Sequence, residues 1–532
     1  MISPATGRTI CETADSSAAD LELALDAAHV ARDAWVECTH ARRAEILTAA
    51  ADAIEDNAEM LAVCESWETG RPIREALGVD IPLAADHFRY FAEVVRGDEG
   101  MVSGIGDDVL AYQFREPLGV VAQFLPVHFP VLVAAWNLAP ALAAGNCSVL
   151  KPVSDASWSV LKLAEVIGEV IPPGVFNIVT GRGDGVGRDL ASSRRIAKVV
   201  FSGETATGRR ILSCAAPNLV PVWLDVGARS PNVFFADVPA DEDGFLDRAV
   251  DAMVRSASDE GLTGVHVPVP GAGPGTGLRR VRRAGPGADR RAGGRRSAGH
   301  RHPRRPAGRP DQLARLESCV DTGRSEGATV LIGGHRVTVG DEFTDGYFYA
   351  PTVLRGHNRM RVFREDLFGP VLTVTSFTDE EQAIAIANDS RNGPGAGVWT
   401  RDGDRAYRVG RAVQASRGLD QLPPPAGAGP VQPDEEPRGR PRPPVLRAAR
   451  RLSRSGKDPL EPGRVNTFER WESGEHLGVS GARQSAASSG SRSSRPSVPT
   501  DSAAMCQAFS SNRGLRALAA ARPASQARSP SL

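Results

Sequence analysis

PLGVVAQFLPVHFPVLVAAWNLAPALAAGNCSVL, residues 117–150, is the stretch whose reading decides the fold. It carries almost no charge and is long enough to span a bilayer on length alone. Three prolines interrupt it: Pro126, Pro130 and Pro140. His128, Asn137 and Asn146 would each be costly in lipid. A buried strand, a proline-bracketed turn and a buried helix fit these residues better than a membrane span.

Working outward, the same alternation recurs. Val120–Phe124, Ser148–Lys151, Val175–Val179, Val199–Phe201 and Asn232–Phe235 read as short buried strands. Ser157–Ile167 and Gly185–Ser192 read as helices between them. Upstream, helical periodicity runs through Ala41–Val63 and again near Ile81–Val95. Strands alternating with helices predict an α/β fold with a parallel, doubly wound sheet.

The pattern breaks at residues 264–310. This span has no Ile, Phe, Tyr, Trp, Met, Lys or Glu, and its arginines crowd between Arg279 and Arg309. It cannot bury much apolar surface. Three readings stand side by side. A nucleic-acid-binding insert would use the arginines, but no aromatic residue is interleaved for base stacking. A disordered loop of this length inside a compact domain is unusual. The third reading is coding DNA translated out of frame, which in GC-rich sequence yields Gly, Ala, Arg and Pro. The codons of Val265–Gly271, shifted by one nucleotide, can spell Cys-Thr-Cys-Pro-Ser-Arg. From Asp311 the globular pattern returns and continues to about Arg417. A Pro/Arg/Ser/Gly-rich tail, 418–532, follows and is expected to be disordered.

The formal net charge of -1 gives no global attraction to nucleic acid or anionic membrane. Seven cysteines are scattered with no CxxC spacing, so neither a disulfide framework nor a metal site is expected. The opening residues Met1–Gly7 lack a basic-then-apolar signal pattern, and a cytoplasmic location is expected.

Several further stretches, in order, resemble the aldehyde dehydrogenase superfamily. They are SPATGRTI near the start, ETGRP at 68–72, FLPVHFP at 124–130, AGNCSVLKP at 144–152, FSGETATG at 201–208, LDVGARSPN at 224–232 and REDLFGP at 364–370. The resemblance implies a Rossmann-like NAD(P)-binding domain over 1–224 and an α/β catalytic domain over 225–417, interrupted by 264–310. It also implies a small oligomerisation element, with 107–115 as one strand, and homo-oligomers whose assembly stays open here.

The family's chemistry runs through a cysteine thiolate that attacks an aldehyde, oxyanion donors, hydride transfer to the nicotinamide, and a carboxylate that activates water. Asp225 stands where the family carries its general-base Glu, one methylene shorter. His128 replaces the Asn that serves the oxyanion. The nucleophile belongs near Val265 and His266, where the written chain has no cysteine and the shifted frame has one.

On the cofactor side, the resemblance implies that Leu125 stands where the family's backbone borders the nicotinamide and that Lys151 matches a Lys on the adenosine ribose. Ser154 replaces a frequent Glu there, which leaves NADP open beside NAD. Gly183 and Gly187 let the chain turn beside the nucleotide. Gly203, Glu204, Thr205 and Gly208 form a strand-to-helix turn whose amides can face pyrophosphate. Asp366 stands where a Glu holds the nicotinamide ribose, and Phe368 where an aromatic packs by the ring. The expected substrate is an aldehyde, with a lean toward the acetaldehyde-oxidising branch. The expected activity of the written chain is none. A non-catalytic nucleotide-binding pseudoenzyme is the alternative to a disrupted gene.

Overall fold

The computed structural model describes residues 1–106, 109–227, 230–238, 244–245, 249, 264–268, 306, 308–340, 343–389, 395–414, 417–421 and 453–454. All of them fall within the unit Met1–Ser455. Most of the Arg-rich block, Cys506 and nearly all of the tail lie outside the described residues.

Helices α1 (Ala18–Glu37), α2 (His40–Asp56) and α3 (Ala58–Thr69) open the chain. Ser17 and Asp20 cap α1 reciprocally, and Thr39 caps α2, so both starts are written locally. The single periodic run expected over Ala41–Val63 is in fact two helices. Asn57 breaks it with φ -110°, and its side-chain amide donates to the carbonyl of Ala53. An apolar stripe continues across a bend when both segments face one core, so periodicity alone hides the break. Helix α4 (Ile81–Arg96) follows, then an antiparallel hairpin of β1 (Met101–Gly106) and β2 (Val109–Gln113).

Five parallel strands make the first sheet: β3 (Val120–Phe124), β4 (Cys147–Lys151), β5 (Phe176–Ile178), β6 (Lys198–Gly203) and β7 (Val222–Val226). Their spatial order is β5-β4-β3-β6-β7. The chain therefore steps outward from β3 on one side and then reverses to the other. In such a sheet a ligand crevice opens beyond the carboxyl ends of the strands at the reversal. Helices α5 (Pro130–Ala143), α6 (Trp158–Ile167) and α7 (Thr205–Ala215) connect the strands. Every residue of β3 and β4 is buried, and α5 is buried almost all round, as residues 117–150 required. Among the described residues no helix is long and apolar enough to cross a membrane. The helix expected over Gly185–Ser192 begins earlier, as a wide turn Gly183–Gly187 leading into Arg188–Ala191.

The second sheet has seven strands: β8 (Pro231–Phe234), β9 (Gly264–Pro268), β10 (Thr329–Ile332), β11 (Thr352–Arg355), β12 (Val371–Phe377), β13 (Gly395–Trp399) and β14 (Arg417–Gln421). Its order is β10-β11-β12-β9-β8-β13-β14, parallel except for β10 with β11. Helix α8 (Pro310–Ser325) packs with this sheet, as do α9 (Glu380–Asn388) and α10 (Gly403–Ala412).

Two expectations are corrected here. Gly264–Pro268, which opens the span expected to bury little apolar surface, is a central strand pairing with both β8 and β12. Arg417–Gln421, read as the start of a disordered tail at 418, is a strand beside β13. Without β9 and β14, strands β8, β12 and β13 would present unpaired N–H and C=O groups, and any backbone can satisfy them whatever its side chains.

Candidate functional site

The carboxyl ends of β3, β4 and β6 collect most of the candidate residues. After β3 the buried Leu125 donates its backbone N–H to the carbonyl of Lys151 at 3.1 Å, stitching two strand ends together. The proline turn then places Phe129 at φ 35°, ψ 60°. A bulky residue in this left-handed region is strained and must be held by its surroundings. Pro130 starts α5 immediately, and the Arg71 guanidinium lies over the Phe129 ring at 5.4 Å. His128 meets Phe129 edge-on at 4.8 Å and stacks on Phe368 at 6.2 Å between centroids. Two candidates far apart in sequence thus face each other.

Lys151 is buried at the end of β4, its ammonium donating to the carbonyl of Pro152 at 3.0 Å. Burial pushes its pKa down to about 8, against the pull of Asp15 and Asp155. Gly187 packs on it: a Cβ there would stand 3.0 Å from the lysine Cε. Gly183, by contrast, borders open space. The Ser154 hydroxyl donates to the carbonyl of Gly181 at 2.8 Å, so it braces the neighbouring loop.

Gly203 ends β6 at φ 152°, and a Cβ would come within 2.9 Å of the Phe201 ring, so only glycine fits. Helix α7 starts next, with no side-chain cap from Glu204. The backbone N–H of Thr205 donates instead to the Asp366 carboxylate at 3.2 Å. Gly208 lies one turn on, buried against Val226 and Leu224. Glu204 pairs with Arg315 at 2.5 Å, and Arg315 also donates to the carbonyl of Asp366 at 3.3 Å. Arg315 carries no sequence signal, because it reads as one polar residue on the outer face of an amphipathic helix. Asp225 sits half-buried on β7, paired across the ladder with Ser202. The first sheet therefore runs past residue 224 and takes Asp225 with it.

Residues 1–261 and 305–417 match the aldehyde dehydrogenase family. The chain belongs to the aldehyde dehydrogenase family. It is 47% identical over 427 residues to an aldehyde dehydrogenase of Rhodospirillum rubrum, covering 78% of this chain and 82% of that protein. It is also 47% identical over 421 residues to acetaldehyde dehydrogenase 2 of Cupriavidus necator, with the same coverage. Among solved structures, that of PnpE in complex with nicotinamide adenine dinucleotide superposes with a TM-score of 0.72. The identity there is 33%, over 79% of this chain and 85% of that one.

The family match skips 262–304, the interval in which the motif resemblance leads us to expect a nucleophile. Strand β9 lies there and holds Val265 and His266. Of the described cysteines, Cys64, Cys147 and Cys319 are buried, and Cys11, Cys38 and Cys214 are half-buried. Burial pushes the Cys147 thiol up to about 12, so it holds no thiolate at neutral pH. Among the described residues no cluster of His, Cys, Asp and Glu could hold a metal ion.

Proposed function

We propose that this chain is a nucleotide-binding member of the aldehyde dehydrogenase family that takes NAD, with NADP admitted, and does not oxidise aldehydes. One observation carries the reading. The carboxyl ends of β3, β4 and β6, at the reversal of strand order, gather Leu125, Lys151 and the Gly203–Thr205 turn at a helix N-terminus. The residues fit a dinucleotide. Gly187 leaves the cradle beside the buried Lys151 that a Cβ would fill, and Gly203 brings backbone close. Lys151 would hold the adenosine ribose, the start of α7 the pyrophosphate, and Leu125 with Phe368 the nicotinamide. With Ser154 in place of a carboxylate, that loop has one charge fewer to repel a 2′-phosphate, Asp155 being the acidic residue left on it.

In the family the bound dinucleotide accepts hydride as an aldehyde becomes a carboxylic acid. This chain keeps Asp225 as a shortened base and His128 as a donor, but has no cysteine within residues 262–304. The relatives named for acetaldehyde and fluoroacetaldehyde support a short aliphatic aldehyde as the substrate of the lineage. Two origins fit the same polypeptide: a gene whose frame is disrupted across 262–304, or a protein that binds nucleotide without turnover. The break in the family match supports the first. Homo-oligomeric assembly would use the β1–β2 hairpin, where Val102, Leu110, Tyr112 and Phe114 are exposed. The nucleic-acid reading of the Arg-rich block falls on residues outside the described set.

Titration with NADH, followed by nicotinamide fluorescence, tests the binding half: saturable binding is expected, and none would sink it. Acetaldehyde with NAD or NADP should give no reduced-nicotinamide absorbance; steady turnover would overturn the inactive assignment. Sequencing the DNA across codons 261–265 and 305–311 separates the two origins. Light scattering reads the assembly.

A further inference from the structure

The ETGRP stretch at 68–72 has no place in the chemistry above. Its helix, α3, nevertheless carries two fully buried carboxylates three residues apart, Glu65 and Glu68. That spacing is one helical turn, so both side chains leave the same face.

Each one meets the bare start of a different helix. Helix α5 begins after Phe129, which has no acceptor side chain to cap it. The Glu65 carboxylate accepts from the backbone N–H of Val131 at 3.2 Å. Helix α6 begins after Ser157, whose side chain also makes no cap; its hydroxyl turns to the Met1 sulfur at 3.4 Å. The Glu68 carboxylate accepts from the N–H of Trp158 at 2.8 Å, from the N–H of Ser159 at 3.3 Å and from the Ser159 hydroxyl. A helix start leaves orphan N–H groups and a partial positive charge, and a buried carboxylate answers both.

The segments that lead into these two helix starts are the two candidate nucleotide loops. Leu125–Phe129 runs into α5, and Pro152–Ser157 runs into α6. We propose that Glu65 and Glu68 are positioning residues that form a two-carboxylate clamp: Glu65 sets the nicotinamide-side loop and Glu68 the adenosine-side loop. One rigid helix then fixes the spacing between the ends of the pocket, roughly 4.5 Å of axial rise separating its two contacts. Arg71 extends the clamp. It pairs with the buried Asp80 and lies over Phe129, which bears the strained turn. The clamp as a nucleotide device rests on the dinucleotide reading above; its effect on the two loops does not.

Hydrogen–deuterium exchange of the full chain with Glu65→Leu and Glu68→Leu tests the geometry without ligand. Leucine keeps the volume and removes the acceptor. Glu68→Leu should speed exchange across 152–159 and leave 125–131 unchanged; Glu65→Leu should do the reverse. Should a leucine variant fail to fold, Glu65→Asp and Glu68→Asp, which pull the oxygens back by one methylene, should give the same split. Glu→Gln variants retain an acceptor and should exchange as the parent does. Loosening of both loops alike, or of neither, overturns the clamp and leaves only a core contact.

Binding gives the second readout. Glu68→Leu should weaken 5′-AMP and NADH together, by about ten-fold, the loss of a charge-assisted bond. Glu65→Leu should weaken NADH and leave 5′-AMP within two-fold. Equal losses for both probes in both variants would also overturn the clamp. A parent chain that binds neither probe refutes the function reading, and the exchange pattern still decides the clamp.

Discussion

The carboxylate of Asp366 accepts a hydrogen bond from the backbone N–H of Thr205 at 3.2 Å, across 161 residues of sequence. It therefore occupies an amide of the first turn of α7, where an anion is favoured by the helix dipole. Removing it with Asp366→Ala should free that amide for phosphate. ADP, which lacks the nicotinamide ribose, should bind up to about five-fold tighter, corresponding to about 1 kcal/mol. Isothermal titration reads this. An unchanged ADP affinity would place the pyrophosphate elsewhere.

Lys151 gives a pH-dependent expectation. Its ammonium is lowered from 10.5 to about 8 by burial. Between those values the unfolded chain holds a proton that the folded chain has released, so stability rises with pH across the window from about 8 to 10.5. Below about 8 the full penalty applies, of about 3 kcal/mol. Lys151→Met should raise the urea midpoint at pH 7 and flatten the rise above pH 8. The same variant should lose about ten-fold in NADH affinity. A variant that is stabilised yet binds NADH as the parent does would remove Lys151 from the site.

Glu68 carries the opposite slope. Burial raises its carboxyl from 4.5 to about 7, against the bonds from Ser159 and Trp158. Across that window the folded state keeps a proton that the unfolded state has lost. Its contribution is full below about 4.5 and is lost as pH rises through about 7. The buried Glu65 is raised in the same direction, with Asp80 adding to the shift and Arg71 opposing it. Urea titrations at pH 5 and pH 8 should show Glu68→Gln removing about 3 kcal/mol of the difference between the two conditions. An undiminished difference would mean that Glu68 is charged throughout.

Arg315 tests how the candidate site is braced. Its pair with Glu204 is about half exposed, so Arg315→Ala should cost less than about 1 kcal/mol in global stability. The variant also removes the donor to the Asp366 carbonyl. Exchange over residues 364–370 should therefore rise while the denaturation midpoint barely moves. A large drop in the midpoint would show that Arg315 is a core strut.

The α/β class and the first sheet were legible because burial on both faces leaves apolar runs at β3, β4 and β6, punctuated by Gly and Pro. The candidate cofactor residues were legible because strand-to-helix turns constrain residue type, as at Gly203. The break at Asn57 was hidden, since α2 and α3 share one apolar stripe. Strands β9 and β14 were hidden because their pairing with β8, β12 and β13 is made by backbone, and backbone leaves no residue pattern. Arg315, Glu65 and Glu68 could not be ranked either: their partners lie 51 to 111 residues away.

Residues 117–150 by themselves determined a buried strand, a proline turn and a buried helix, because chain stiffness and hydrophobicity act over a few residues. The absence of a cysteine from residues 262–304, the interval that the family match skips, is likewise a property of the sequence. Only the tertiary structure decided which groups meet. It set His128 against Phe368, Asp366 against the start of α7, and one helix against the loops that lead into α5 and α6. Those pairings follow from the order β5-β4-β3-β6-β7 and the contacts of α3 with the starts of α5 and α6, and long-range packing of this kind is set by the whole core.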